Sequence, residues 1–198
     1  NAIVWQDRRT AEFCQTLKDV EKDIQDRTGL LADPYFSATK IKWILDHLSP
    51  RHSDESQNLL FGTIDTYLLW KLTKGQVHAT DVSNAARTML FNIKTQEWDE
   101  TQCDRIGVPM DMLPQVMDNC ADFGVTDIFD KPLPILSMVG DQQAATFGQA
   151  CFSPGMMQST SGTGCFALMN TGAECVTSNH RLLSTIAWRI NGPVTDAL

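Results

Sequence analysis

The stretch Ile135-Leu136-Ser137-Met138-Val139, closed by Gly140, leads into Asp141-Gln142-Gln143 and a small-residue run over 144–150, and it most narrows the folds open to this chain. An apolar run bounded by Pro132, Pro134 and a glycine predicts a short buried strand, and the small residues predict a helix behind it. Strand, polar loop and helix in quick succession are the unit of α/β folds, which place ligands at the carboxyl ends of their strands. Asp141 therefore projects where a ligand can reach it, beside the free N–H groups of the helix start. A carboxylate there can take a proton from a hydroxyl or hold a cation. It can equally do no more than cap the helix.

The rest of the chain supplies helices and strands in mixed order. From Asp7, the apolar residues Phe13, Leu17, Val20 and Ile24 recur at spacings of four, three and four, predicting one amphipathic helix ended by Thr28-Gly29. After the turn at Asp33-Pro34, Ile41, Ile44, Leu45 and Leu48 share a helical face that stops before Pro50, and the polar residues 51–58 read as a surface loop. Leu59-Leu60-Phe61 reads as a short buried strand, and Thr63 as the cap of a third helix that carries Ile64, Tyr67, Leu68 and Leu72 and ends at Gly75. Between Val77 and Leu90 the pattern loses its period, which predicts an irregular connection. Phe91 and Ile93 then read as a strand. Asp99 followed by Gln102 has the form of a capping box opening a short helix that ends at Gly107. Pro109, Pro114, Pro132 and Pro134 mark a connection with little regular structure.

From Gly155 the texture changes. Residues 156–160, 165–170 and 183–190 are strand-like and are separated by Gly162-Thr163-Gly164 and Gly172, a hairpin pattern. A domain boundary or change of layer is expected near Phe152-Ser153-Pro154-Gly155. The chain starts without Met and ends with no stop signal, as an excised piece of something longer would.

Charge narrows the partners. Sixteen Lys and Arg against 24 Asp and Glu leave −8 over 198 residues, with no basic stripe to neutralise phosphates, so nucleic acid is not expected as a partner. No apolar run approaches the roughly 20 residues that cross a bilayer. The six cysteines, Cys14, Cys103, Cys120, Cys151, Cys165 and Cys175, are spread singly, which predicts neither a zinc site nor a disulfide framework and fits a reducing cytosol. His47, His52, His78 and His180 are equally scattered, so a metal held by imidazoles is not expected.

Two further groups could carry chemistry. In Ser159-Thr160-Ser161-Gly162-Thr163-Gly164, hydroxyls and glycines can bring backbone N–H groups onto phosphate oxygens, or can form a plain hairpin turn. Trp5 and Tyr35, with Pro34 and Phe36 nearby, can line a pocket or pack a core.

Six strings, in one order, resemble the FGGY family of carbohydrate kinases. They are residues 1–6, Asp33-Pro34-Tyr35-Phe36-Ser37, residues 61–66, residues 84–93, Gly140-Asp141-Gln142-Gln143 and Gly162-Thr163-Gly164-Cys165-Phe166. Several look specific to the branch that acts on glycerol rather than on pentuloses or gluconate. The resemblance implies a ribonuclease-H-like, actin-like ATPase fold of the α/β class. Residues 1–151 would form the second part of the first domain, and residues 152–198 the opening hairpins of the second, nucleotide-binding domain.

The activity implied is transfer of the γ-phosphoryl group of MgATP to glycerol, with Asp141 as catalytic base near Mg²⁺. Gln142 and Tyr35 would hydrogen-bond the polyol, Trp5 and Phe166 would wall its carbons, and Gly162, Thr163 and Gly164 would face the phosphates of ATP. A phosphate-binding hairpin and an Arg–Glu pair would precede this chain, and a cytoplasmic homo-oligomer is implied for the whole. Ser161 stands where the family often has Tyr, and the loop Asp127-Ile128-Phe129-Asp130-Lys131-Pro132 lacks the Gly and Arg with which some members bind a sugar-bisphosphate inhibitor. The alternatives kept are a kinase of the same family for another polyol or ketose, and a non-catalytic or degenerate piece.

Overall fold

The computed structural model describes residues 2–48 and 59–198; the loop expected over 51–58 and His52 lie outside them. The first expected helix is two, α1 (Ala11–Thr16) and α2 (Glu21–Thr28), with a 3₁₀ turn at Lys18–Val20 between them. The apolar spacing is kept through the break, since Leu17 and Ile24 enter the same core. The Thr16 hydroxyl donates back to the Phe13 carbonyl at 2.7 Å, an alternative to continuing the helix. Gly29 ends α2 in the left-handed region, φ 73°. A Cβ there would lie 2.2 Å from the Ser184 carbonyl oxygen, so only glycine lets α2 meet the distant residue Ser184.

Helix α3 (Ser37–Asp46) follows the Asp33-Pro34 turn as expected. Leu59-Leu60-Phe61 forms no strand: Phe61 makes one backbone bond, to Met112, and Leu60 is half exposed. Helix α4 (Ile64–Leu72) starts at Thr63, but without a bond from its hydroxyl. It buries Thr66, packs Leu69 against Ala79 and Phe123, and leaves Ile64, Tyr67 and Leu68 exposed. The supposedly irregular stretch after Val77 holds β1 (Ala79–Asp81) and the single turn α5 (Val82–Ala85). Elements of three and four residues are too short to show a period, but the Asp81 side chain caps α5 on the N–H groups of Ser83 and Asn84.

Strands β2 (Phe91–Asn92) and β3 (Glu97–Trp98) form an antiparallel pair, with Ile93 outside it and bonded instead to the Arg27 carbonyl. Helix α6 (Glu100–Ile106) opens on Asp99, which accepts from Gln102 N at 3.0 Å. The return half of a capping box is not made, because the Asp99 N–H donates to the Leu90 carbonyl at 2.7 Å and the Gln102 Oε1 accepts from Arg105. The proline-marked connection contains β4 (Gln115–Met117), parallel to β1, and the short pair β5 (Val125–Thr126) and β6 (Leu133–Pro134).

The expected buried strand over 135–139 is corrected. This segment bonds along one side only, to residues 119–124, with a single bridge between Ser137 and Cys120. Leu136 is 58% exposed and Val139 37%, since among the described residues no strand covers its other side. Helix α7 (Asp141–Gly148) follows at once, starting three residues before the expected small-residue run.

Residues 157–197 form one antiparallel sheet in the order β7 (Met157–Ser161), β8 (Cys165–Gly172), β10 (Val194–Ala197), β9 (Thr185–Arg189). The β7–β8 hairpin keeps the register Ser161 opposite Cys165, so Gly162-Thr163-Gly164 is its turn. The main core gathers Ile24, Leu30, Ile41, Leu90, Cys103 and Ile106, while Val82, Ala85, Phe91 and Ile186 tie α5 to the sheet through β9.

Candidate active site

The aromatic side of the site is built from the amino-terminal segment and the start of α3. The Asp33 carboxylate accepts from Tyr35 N at 2.8 Å and fixes the turn that presents the Tyr35 ring. Trp5 meets Tyr35 edge to face at 5.5 Å and Phe166 of β8 at 6.2 Å, two favourable aromatic geometries. Trp5 stays 44% exposed, more than a core residue would be. Gly164 serves this contact sterically, because a Cβ there would lie 2.7 Å from the Phe166 ring.

Opposite the rings is the start of α7. Gly140 is the cap residue, with no side chain to cap the helix, and Asp141 is the first helical residue. Among the described residues its exposed carboxylate accepts from the Gln142 N–H alone, at 2.9 Å, so most of its lone pairs face open space. Trp5, Asp141, Gln142, Thr160, Gly162, Thr163, Gly164 and Phe166 line one cavity of about 270 Å³, together with Ala145. That is room for a ligand of a few heavy atoms, at the small end of known sites. Tyr35 packs edge to face against Trp5, one ring from this lining.

The hairpin turn also lines this cavity. The Gly162 N–H closes the turn on the Gly164 carbonyl at 2.8 Å, and no described residue accepts from the N–H groups of Thr163 or Gly164. Successive donors left open in this way suit an anion. Among the described residues no cluster of three His, Cys, Asp or Glu could cage a metal. A lone carboxylate with open lone pairs fits Mg²⁺, which takes one or two protein carboxylates and completes its shell with water and substrate phosphates.

Two cations of this region carry no local sequence signal. Lys40 is buried in α3 and donates from Nζ to the carbonyls of Trp5, at 3.3 Å, and Tyr35, at 3.1 Å, tying both aromatic residues together. Burial lowers its pKa, and Asp7 and Asp33 pull it back up. Arg87 lies 5.4 Å over the Phe36 ring and faces the Tyr35 side chain, with Asp141 within electrostatic reach. Burial pushes its pKa down against the opposing pull of Tyr35 and Asp141. All six cysteines are free thiols, and among the described residues no helix is long and apolar enough to cross a membrane.

Comparison with known proteins places this geometry. The whole chain is 60% identical to a glycerol kinase of Cereibacter sphaeroides and spans 41% of that protein's length. It superimposes on the crystal structure of Plasmodium falciparum glycerol kinase with ADP with a TM-score of 0.93 at 38% identity, covering all of this chain and 41% of that one. A gluconate kinase from Lactobacillus acidophilus shares the fold, with a TM-score of 0.82 at 18% identity over all of this chain and 40% of its own. The fold is thus the ribonuclease-H-like, actin-like ATPase fold of carbohydrate kinases, and the chain spans about two fifths of the curated relatives it matches. Residues 1–148 match the model of the FGGY family of carbohydrate kinases, N-terminal domain, and the chain belongs to that family.

Proposed function

We propose that the protein containing this chain transfers the γ-phosphoryl group of ATP to a terminal hydroxyl of glycerol, giving glycerol 3-phosphate and ADP. The observation that carries this reading is the Asp141 carboxylate, held by no other side chain among the described residues and opening on a small cavity between two aromatic rings and the Gly162-Thr163-Gly164 turn. The name of the 60% identical relative points the same way.

In this reading the Asp141 carboxylate accepts the hydroxyl proton as that oxygen forms its bond to phosphorus and the bond to the leaving ADP oxygen breaks. Gln142, on the cavity lining, and Tyr35, edge to face with Trp5, hydrogen-bond the polyol, and Trp5 and Phe166 pack its carbons and fix its orientation. The open N–H groups of Thr163 and Gly164 face the nucleotide phosphates. Asp141 is the residue here that would hold a magnesium ion arriving with the nucleotide, and such an ion would neutralise phosphate charge. Residues 1–151 belong to the first, substrate-side domain and 152–198 open the second. The six free thiols favour a reducing cytoplasm, and a homo-oligomeric assembly rests on the family resemblance.

A fold shared with a gluconate kinase at 18% identity leaves substrate choice to the site itself. The test is a panel on the full-length protein: glycerol, pentuloses and gluconate with ATP, following ADP release. Glycerol with the highest kcat/KM supports the reading. Preference for a ketose or gluconate, or no transfer at all, overturns it.

A further inference from the structure

The Asp141 carboxylate has one hydrogen bond from its own neighbour, so its position is that of the backbone that carries it. That backbone is gripped from behind by a buried polar network drawn from three distant parts of the chain. Asp81, fully buried at the end of β1, accepts from Ser83 N at 2.8 Å, from the Ser83 hydroxyl, from Asn84 Nδ2 at 2.6 Å and from Asn119 Nδ2 at 2.7 Å. With its proton committed to Asp81, the Ser83 hydroxyl oxygen accepts the Gly140 N–H at 2.9 Å. Asn119 Nδ2 also donates to the Met138 carbonyl at 3.0 Å, and the Met138 N–H returns to the Asn119 carbonyl at 3.0 Å. Of the two residues on either side of Val139 that lead into Asp141, Met138 is thus fixed through both its N–H and its C=O, and Gly140 through its N–H.

The same Asn119 reaches the sheet. Its Oδ1 accepts from Arg189 N at 2.8 Å, and its own N–H donates to the Arg189 carbonyl at 3.0 Å, on β9. One asparagine therefore spans the approach to Asp141 and the sheet that carries the Gly162-Thr163-Gly164 turn. The close fit shows at Gly140, where an added Cβ would lie 2.7 Å from Gln143 Oε1 and 3.6 Å from the Ser83 hydroxyl.

We infer that Ser83 is a positioning residue for the transfer reaction: oriented by Asp81 and flanked by Asn119, it holds the Gly140 amide and so sets where the Asp141 carboxylate meets the substrate hydroxyl. The inference rests on the proposed role of Asp141. In a low-dielectric site such a satisfied network is rigid, and losing one member loosens what it held. A carboxylate displaced by about 1 Å costs on the order of 10²-fold in rate, while binding by the aromatic walls and Gln142 is left in place.

The experiment compares Ser83→Ala and Ser83→Thr with wild type in the full-length enzyme by steady-state kinetics. It is paired with hydrogen–deuterium exchange of the 138–143 backbone. Ser83→Ala is expected to lower kcat by about 10- to 100-fold with the glycerol KM within about twofold. Ser83→Thr, which keeps the hydroxyl, should return kcat to within about threefold of wild type, and the 138–143 backbone should exchange faster in Ser83→Ala alone. If Ser83→Ala does not fold, Ser83→Cys, somewhat larger but with a thiol that is a poorer donor and acceptor than the hydroxyl, weakens both bonds and should give the same split. Wild-type kcat in the Ala or Cys variant, a rise in KM matching the fall in kcat, or unchanged exchange at 138–143 overturns the inference. A wild type inactive on glycerol refutes the functional reading instead, and the exchange result then decides by itself whether Ser83 holds this segment.

Discussion

Asp141→Asn separates chemistry from architecture because the structure makes the two costs so different. The side chain is the first residue of the eight-residue helix α7, is exposed, and keeps a single bond from Gln142 N that an amide oxygen accepts equally well. Loss of one negative charge at a helix start costs about 0.3–1 kcal/mol. For a chain of this size that is a melting shift of no more than about 4 °C. The amide cannot take a proton, so kcat should fall on the order of 10²- to 10⁴-fold, about 3–5 kcal/mol of transition-state stabilisation. Glycerol KM should change little, since Trp5, Gln142 and Phe166 are untouched. The assay is coupled ADP release by the full-length enzyme beside thermal melts of wild type and variant. Unchanged melting with kcat within about threefold of wild type, less than 1 kcal/mol, refutes the assignment of the base.

Four further outcomes are expected. Tyr35→Phe should raise the glycerol KM by the worth of one hydrogen bond, about 0.5–1.5 kcal/mol, and Trp5→Ala should raise it through lost packing; wild-type kinetics in both would return these rings to a purely structural role. Lys40→Met strands the carbonyls of Trp5 and Tyr35, so it should destabilise by about 1–3 kcal/mol in melts and raise KM more than it lowers kcat. Asp196 is 7% exposed, with Oδ1 unpartnered among the described residues, and burial raises its pKa from 3.8 to about 6. The folded state therefore holds a proton that the unfolded state releases, so the contribution of Asp196 to stability is full below pH 3.8 and is lost as pH rises to about 6. Two pK units are about 3 kcal/mol, so Asp196→Asn should raise the melting temperature at pH 7 and flatten the profile between pH 4 and 6; a lower melting temperature at pH 7 contradicts this. The 198-residue chain expressed alone, spanning 41% of its relatives, should release no ADP in the presence of ATP and glycerol above a contaminant control.

Much of the local structure was legible in the residues themselves. Asp99 ahead of Gln102, Gly29 and Gly107 mark helix ends because capping and left-handed turns depend on one or two neighbouring residues. The glycine-separated apolar runs after Gly155 became the hairpin sheet because alternation and turn chemistry are also local. Order and wording of the six strings pointed to the family, which needs no coordinates. The apolar run over 135–139 misled because composition reports a wish for burial and not whether anything covers the segment; here it is bonded on one side and exposed on the other. Asp81, Ser83, Asn119, Lys40 and Arg87 left no periodic trace, since what each does depends on partners up to 70 residues away. A hydrogen bond between distant residues has no spacing rule in sequence. Which polar side chains are buried, and which backbone groups they hold against the cavity, was decided only when the chain closed on itself.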